Sequence, residues 1–263
     1  MGYETVLVDK ADSIATITLN RPEELNVISI AMVGELMQAL RDAAADPGMR
    51  VIIITGAGRA FCAGLDLAAI ASGAPPSGES EREMCQVEDP SLPLVMETID
   101  KPVIAAVNGA AIGWGLELVL LCDIKIASDK AIFADMHVAR GLIADNGGLW
   151  ILPRLVGWSR AAEIYFLGDR MDAKEAQRIG LVNRVVNHEE LEKATREMAT
   201  RIASNAPLAV QMGKRYMRLS QKCDLESSQE HCFAALRALM QTEDAKEAAK
   251  AFMDKRAPVF RGV

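Results

Sequence analysis

The sequence predicts an α/β layered fold that is followed by a mostly helical C-terminal region. Two apolar runs, Val51–Ile54 and Pro102–Val107, have the composition of strands that are covered on both faces. A glycine-bearing loop and a helical pattern follow in turn, so the order of strand, loop and buried helix occurs twice. From Leu149 onward the segments have mainly helical spacing. These three observations indicate the fold class.

Length and charge limit the classes of function. The chain has 263 residues, is 50% apolar and carries a formal net charge of −7. This composition is typical of one main folded domain with a sizeable core. Acidic and basic residues are interleaved without a long basic run, so we expect no nucleic-acid partner. The most apolar stretch, Leu116–Ile126, is interrupted by charges and falls short of the roughly 20 residues that a membrane span needs.

The cysteines and the first residues suggest a location. The five cysteines are Cys62, Cys85, Cys122, Cys223 and Cys232. Because they are widely spaced and form no CxxC pair, we expect reduced thiols that are mostly buried, and no metal site. The start, Met1–Glu4, lacks an export signal and a lipidation motif. A soluble, cytoplasmic protein is expected.

The first elements are predicted as a hairpin and a helix. The segment Thr5–Leu19 is rich in Val, Ile and Thr around a polar turn at Asp9–Ser13, which indicates two paired strands. Ser29 is a plausible N-cap for a helix that stops at Asp46-Pro47-Gly48. The apolar positions with helical spacing are Val33, Leu36, Met37, Leu40 and Ala44.

The second half of the core and the C-terminal region follow. A loose segment, Ser72–Ser91, predicts a surface loop and a helix edge. Gly113–Cys122 predicts a helix with a glycine-rich first turn, and two short strands and one strand-like piece are expected after it. These are Ile124–Ala127, Ala131–Ala134 and Leu181–Val186. Later helices are predicted at His188–Ala203, with Asn187 and Glu190 as a capping pair, and at Pro207–Leu219, with one last helix before the tail.

Two glycine-bearing turns, Phe61–Asp66 and Asn108–Gly115, each follow a buried strand. Such turns expose unpaired N–H groups next to the positive end of a helix, so two of them side by side would hold an oxyanion. Tight turns and close helix packing are the alternative explanation of the glycines. Neither turn completes a dinucleotide-binding pattern, and no GxSxG motif occurs, which disfavours a nicotinamide cofactor and a serine hydrolase.

Three titratable residues are candidates for proton transfer. Glu117 lies among leucines just after the second turn, and burial would raise its pKa toward neutrality. The alternative is that Glu117 is a structural carboxylate whose hydrogen bonds are all formed within the protein. His137 and Asp145 lie in a loop-like stretch, where a structural histidine and a helix cap near Gly147 are the competing interpretations.

Several stretches, in this order along the chain, carry a resemblance to the crotonase, or enoyl-CoA hydratase/isomerase, superfamily. They are Asn20-Arg21-Pro22 with Leu25-Asn26, then 60–67, then Pro102 to Cys122 with Asp123, then Gly168 to Val186, and the closing 255–260. The resemblance covers essentially the whole chain. It implies a core of repeated β-β-α units in residues 1–200, and a helical region in residues 201–263 that serves oligomerisation and covers the active site. It also implies trimers, commonly stacked into hexamers.

The resemblance also implies the site residues. Leu65 and Trp114 fall on the backbone oxyanion-hole donors, and Glu117 falls on the first catalytic glutamate of the hydratases. The residues implied to contact coenzyme A are Leu25, Val27, Ala63, Asp66 and Leu67. Coenzyme A would be part of an acyl-CoA substrate, so no separate cofactor is expected.

One departure from the family pattern leaves the reaction open. The second catalytic glutamate of the hydratases falls on His137 in this sequence, and Asp145 falls where some isomerases of the family carry a catalytic aspartate. The residues therefore allow hydration of a 2-enoyl-CoA to a 3-hydroxyacyl-CoA, with His137 or Asp145 assisting Glu117. They also allow double-bond isomerisation through Asp145, or acyl-CoA binding without catalysis.

Overall fold

A six-stranded sheet forms the centre of the molecule. The computed structural model describes residues 3–66 and 91–263. The strands of this sheet are β1 (Val6–Ala11), β2 (Ile14–Leu19), β3 (Val51–Gly56), β5 (Val103–Val107), β7 (Ile124–Ser128) and β10 (Arg184–Val186). They lie in the order β1-β2-β3-β5-β7-β10, and only the β1–β2 pair is antiparallel. The predicted α/β class is therefore confirmed.

A second, smaller sheet lies at the carboxyl ends of the parallel strands. Its strands are β4 (Ala60–Cys62), β6 (Ala110–Ile112), β8 (Ile132–Ala134) and β9 (Met171–Asp172). They lie in the order β4-β6-β8-β9. Three times along the chain a strand of the large sheet is followed by a strand of the small sheet, as β3–β4, β5–β6 and β7–β8. This alternation brings the loops after β4, β6 and β8 to one edge of the molecule.

Ten α-helices lie in the described ranges. They are α1 (Ile30–Ala45), α2 (Leu92–Thr98), α3 (Trp114–Leu121), α4 (Gly148–Val156), α5 (Trp158–Leu167), α6 (Ala173–Arg178), α7 (Leu191–Ala203), α8 (Pro207–Ser220), α9 (Leu225–Leu239) and α10 (Glu243–Met253). Ser29 caps α1 as predicted, because its hydroxyl accepts a hydrogen bond from the N–H of Met32 at 3.2 Å. No helix within residues 3–66 and 91–263 is both long and apolar enough to cross a bilayer.

The large sheet is covered on both faces, as its apolar runs predict. Ile52 and Ile54 of β3 pack in one cluster with α1 and α3, whereas Val51 and Ile53 pack in a second cluster with α7. This alternation follows from the two-residue side-chain period of a strand. The sheet therefore holds the loops of its carboxyl edge on a rigid base.

Four local predictions need correction. The hairpin turn is only Asp12-Ser13, because both residues adopt a positive φ and let the strands continue to them. Asn187 does not cap a helix: 188–190 form a 3-10 turn, and the Asn187 amide donates to Glu190 at 3.4 Å instead. The strand-like piece Leu181–Val186 is a strand only at β10, since its first three residues form a bend. The single last helix is two helices, α9 and α10.

The thiols are less buried than predicted. In the described part of the chain Cys62 and Cys122 are buried, Cys223 is half-buried and Cys232 is exposed, and all four are free. The remaining cysteine, Cys85, lies outside the described residues, as do all but the last residue of the predicted loop segment Ser72–Ser91.

Candidate active site

The two glycine-bearing turns meet because glycines let their backbones approach. A side-chain carbon added at Gly115, in the first turn of α3, would lie 2.2 Å from the carbonyl oxygen of Cys62 at the end of β4. A carbon added at Gly64 would lie 2.8 Å from the carbonyl oxygen of Ile112. Only glycine leaves room for contacts this close. The structure therefore brings together the turns that the sequence singles out.

The N–H groups of Leu65 and Trp114 are both available for a ligand. The carbonyl of Gly64 accepts from the N–H of Ile28 at 2.8 Å, and in a trans peptide the next N–H, that of Leu65, points the opposite way. Trp114 is the first residue of α3, so its N–H has no partner inside the helix. Neither N–H donates a hydrogen bond to any residue in the ranges 3–66 and 91–263.

A small cavity lies between the two turns. It is partly open to solvent, and both predicted donors, Leu65 and Trp114, lie in its wall. Its lining residues are Ala63, Gly64, Leu65, Ile112, Gly113, Trp114, Met136, His137, Arg140 and Leu142. The position of a carbon added at Gly64 is 3.8 Å from the Trp114 nitrogen, so the two turns contribute to one pocket. The arrangement suits a single carbonyl oxygen held by two main-chain donors.

The segments predicted to contact coenzyme A run side by side. The carbonyl of Leu25 accepts from the N–H of Ala63 at 3.0 Å, and the segment continues through Val27. The side-chain amide of Asn26 donates to three main-chain carbonyls of the turn before β4 and of β4 itself, at 2.9 to 3.2 Å. Asp66 ends the described part of this loop, and Leu67 lies outside the described residues.

Glu117 is fully buried in α3 next to this cavity. Its Oε1 accepts hydrogen bonds from the main-chain N–H groups of Asn146 and Gly148, both at 2.9 Å. Its Oε2 has no hydrogen-bond partner among the described residues and is 3.6 Å from Nε2 of His137. Burial raises the pKa of Glu117 from its ordinary value of 4.5 to about 7, against the opposing effect of the two amide donors and of His137. A carboxyl group of this kind can give and take protons near neutrality.

His137 lies between Glu117 and a second buried carboxylate. Its Nδ1 is 2.6 Å from Oδ1 of Asp135, and its Nε2 faces Glu117. Burial disfavours the charged imidazole, but the hydrogen bond and the negative charge of Asp135, together with the charge of Glu117, outweigh burial and raise the pKa of His137. Sequence reasoning considered His137 alone and missed Asp135, although the Asp-x-His spacing after a predicted strand was a signal for a local pair.

Asp145 is exposed and does not cap α4. The N-cap of α4 is Gly147, without a side-chain hydrogen bond, so the capping interpretation is wrong. The Asp145 carboxylate instead accepts from the side-chain amide of Asn146 at 2.8 Å, and its charge adds slightly to the raised pKa of Glu117. The structure thus brings His137 into contact with Glu117 and leaves Asp145 at the surface.

Comparisons with known proteins agree with the fold. Residues 9–263 match the profile of the enoyl-CoA hydratase/isomerase family. The chain is 36% identical to the crotonyl-CoA hydratase of Syntrophomonas wolfei over 99% of both proteins, and 35% identical to the short-chain-enoyl-CoA hydratase of Clostridium acetobutylicum over 97% of both. The enoyl-CoA hydratase of Bacillus anthracis superposes with a TM-score of 0.91 at 36% identity, covering 99% of this chain and 100% of that one. The resemblance and the repeated β-β-α fold are therefore confirmed.

Proposed function

The chain belongs to the enoyl-CoA hydratase/isomerase family, and from this premise we propose that it adds water to a 2-enoyl-CoA to form a 3-hydroxyacyl-CoA. The observation that carries the proposal is the buried Glu117 carboxyl: its Oε2 has no partner in the described part of the chain and is 3.6 Å from His137, which lines the cavity. The main-chain N–H groups of Leu65 and Trp114, in the wall of the same cavity, donate to no described residue. The relatives named as crotonyl-CoA and short-chain-enoyl-CoA hydratases support a small 2-enoyl substrate.

The proposed chemistry follows from the double bond of the substrate, which is conjugated with the thioester carbonyl and is therefore electrophilic at C3. When the oxygen of water bonds to C3, the electrons of the double bond move toward the thioester and form an enolate. The N–H groups of Leu65 and Trp114 would hold the enolate oxygen, and each such donor typically lowers the barrier by about 3 kcal/mol. Glu117 would act as the principal acid/base. A second proton-transfer group is then needed, and His137 and Asp145 are the candidates.

Coenzyme A would enter as part of the substrate, along Leu25 to Val27 and the loop that includes Ala63 and Asp66. The pairing of these two segments supports this position. We propose that no separate cofactor takes part, so purified protein that has been treated with a chelator and dialysed should keep its activity. Loss of activity that an added metal or nucleotide restores would contradict this part of the proposal.

Crotonyl-CoA and a 3-enoyl-CoA separate the possible reactions. Hydration predicts that the ultraviolet absorbance of the conjugated crotonyl thioester falls and that 3-hydroxybutyryl-CoA appears. A gain of conjugated absorbance from the 3-enoyl ester, without hydration of crotonyl-CoA, would instead support isomerisation. A CoA ester that raises the melting temperature while no ester is turned over would support binding alone. Either of the last two results contradicts the proposal.

The proposed oxyanion hole has its own test at Trp114. Proline is tolerated at the first position of a helix and has no N–H, so Trp114→Pro removes the donor, whereas Trp114→Ala removes the same side chain and keeps the donor. We expect kcat of the Pro variant to be about 100-fold below that of the Ala variant. Equal rates for the two variants would remove this N–H from the mechanism.

We further propose a homotrimer or homohexamer, assembled through residues 201–263, which would also cover the active site. Large apolar side chains are exposed on these helices and on the tail, and such patches support association. They include Met217, Leu225, Phe233, Phe252, Met253 and Val259. Light scattering should give three or six times the mass of the chain, and a monomer would contradict the assembly.

A cytoplasmic location is also proposed. Four free thiols in the described part of the chain support a reducing compartment. Cell fractionation should recover the hydratase activity with cytosolic markers, and recovery outside the cytosol would contradict this location.

A further inference from the structure

His137 is held from one side by Asp135. Asp135 follows strand β8 and is 1% exposed, and His137 lies two residues later and is 5% exposed. Oδ1 of Asp135 is 2.6 Å from Nδ1 of the imidazole, and the same oxygen accepts from the main-chain N–H of His137 at 3.3 Å. A carboxylate accepts hydrogen bonds and donates none, so Nδ1 of His137 carries the proton.

The other ring nitrogen faces the unpartnered oxygen of Glu117. Oε1 of Glu117 accepts from two main-chain donors, whereas Oε2 has no partner within residues 3–66 and 91–263 and is 3.6 Å from Nε2 of His137. A buried polar atom without a partner is rare, and a catalytic role is one of the explanations for it. A shortening of a few tenths of an ångström would form a hydrogen bond between these two atoms.

Asp145 offers no comparable geometry. Its side chain is exposed and accepts a hydrogen bond from the side-chain amide of Asn146. His137, in contrast, lines the cavity between the two turns, and a carbon added at Gly113 would touch its ring at 3.6 Å. His137 is therefore placed against both the cavity and Glu117.

The inference that follows rests on hydration as the proposed function. We propose that Asp135 is a positioning residue, which holds the Nδ1 proton of His137 so that Nε2 and Glu117 Oε2 together form a one-proton acid/base pair for the addition of water. His137 then takes the proton-transfer role of a second catalytic carboxylate, and Asp135 acts through His137 without touching the substrate.

Glu117 and His137 return to their starting protonation states at the end of each turnover. At the start Glu117 is ionised and His137 is protonated. Oε2 takes a proton from water as the water oxygen bonds to C3, and the enolate forms. Nε2 then gives its proton to C2. Transfer of the proton from Oε2 to Nε2 restores the starting state, so all atoms of the water end in the product and no co-reactant is needed.

The charges around His137 set the expected pH dependence. The groups that face it are Asp135, Glu117, Asp145 and, on the cavity wall, Arg140. Removal of the negative charge of Asp135 lowers the pKa of His137, so the imidazole loses its proton at a lower pH. An asparagine in this place can also donate its amide to Nδ1, which moves the ring proton to Nε2.

Asp135→Asn is the decisive variant, with Asp12→Asn as its matched control at the opposite end of the sheet. We expect kcat for crotonyl-CoA to fall about 100-fold in the Asp135 variant, with KM changed less than about threefold. The alkaline limb of the kcat profile should move to lower pH. The control should keep the wild-type profile. A wild-type kcat and an unmoved alkaline limb in Asp135→Asn would overturn the inference.

Two further measurements keep the test valid if a variant folds poorly. The chain has three histidines, so nitrogen NMR can assign His137 by difference against His137→Gln. The neutral ring of the wild-type protein should carry its proton on Nδ1, and a proton on Nε2 would overturn the inference without any assay of activity. Added imidazole should partly restore the hydratase activity of His137→Ala. His231→Ala should be active without added imidazole. If His137→Ala is folded and binds the product but imidazole restores no activity, the result counts against the inference.

The two proposals fail in different ways. If the wild-type protein hydrates no 2-enoyl-CoA, the proposed function fails and the inference fails with it. If the wild-type protein hydrates crotonyl-CoA and Asp135→Asn does so equally well, only the role of Asp135 is overturned.

Discussion

Replacement of Glu117 by glutamine should make the protein more stable and less active at the same time. The carboxyl is fully buried, and no group in the part of the chain that the structure describes forms a hydrogen bond with its Oε2. Glutamine has nearly the same shape, and its oxygen can still accept from the N–H groups of Asn146 and Gly148. What the substitution removes is the cost of a buried negative charge, together with the ability to exchange a proton.

The size of the effect follows from the pKa of Glu117. Burial raises this pKa from 4.5 to about 7. Because the folded state binds the proton more tightly than the unfolded state, the stabilisation from this group is complete below 4.5 and is lost as the pH rises through about 7. The full difference corresponds to about 3 kcal/mol in the free energy of unfolding. Loss of the Glu117 charge also lowers the pKa of His137 in the variant. This change further increases the stability of the variant relative to wild type as the pH rises.

Urea unfolding at fixed protein concentration measures this directly. The stability of Glu117→Gln relative to wild type should rise by about 2 to 3 kcal/mol between about pH 5 and pH 8. Glu192→Gln, an exposed substitution on α7, should show no such rise. kcat of Glu117→Gln should fall by about 100-fold or more. A pH-independent stability difference, or full activity of the variant, would refute the reasoning.

Three other substitutions test the scaffold. Gly115→Ala should lower kcat/KM at least about 100-fold, because its methyl group would lie 2.2 Å from the carbonyl oxygen of Cys62 and separate the two turns. Gly213→Ala, inside α8, should keep full activity and gain about 0.5 to 1 kcal/mol of stability in the same urea assay, because the added methyl group would meet no described residue outside its own helix within 4 Å. Asn26→Ala should lower the free energy of unfolding by about 2 to 3 kcal/mol, because three main-chain carbonyls lose their donor and Ala fits the positive φ poorly. A decrease under about 0.5 kcal/mol would contradict this. An active Gly115→Ala or an inactive Gly213→Ala would contradict the account of the turns.

Some features of the fold were predictable because they depend on local patterns. The apolar run Val51–Ile54 predicted a strand covered on both faces, and the structure packs its alternate residues into two separate clusters. Ser29 was predictable as a cap because its hydroxyl lies at the start of a helical period. Asn187 was not, because the backbone closed a 3-10 turn before the helix began and left its side chain no helical N–H to accept from.

The candidate site was predictable only in part. Glu117 was noticeable as an acid within a leucine-rich helix, and the glycines marked both turns. The groups that hold the Glu117 carboxylate are main-chain N–H groups of Asn146 and Gly148, which no residue type reveals. The Asp-x-His spacing signalled the local pair of Asp135 and His137, but the approach of His137 to Glu117 depends on the orientation of the loop after β8, which only the assembled small sheet sets.

The central claim is that two main-chain donors from separate turns hold one carbonyl oxygen, and a structure with a bound CoA thioester tests it most directly. With 3-hydroxybutyryl-CoA bound, the thioester oxygen should lie about 2.7 to 3.1 Å from the nitrogens of both Leu65 and Trp114. A thioester oxygen beyond about 3.5 Å from either nitrogen, or a ligand bound elsewhere on the protein, would contradict the claim.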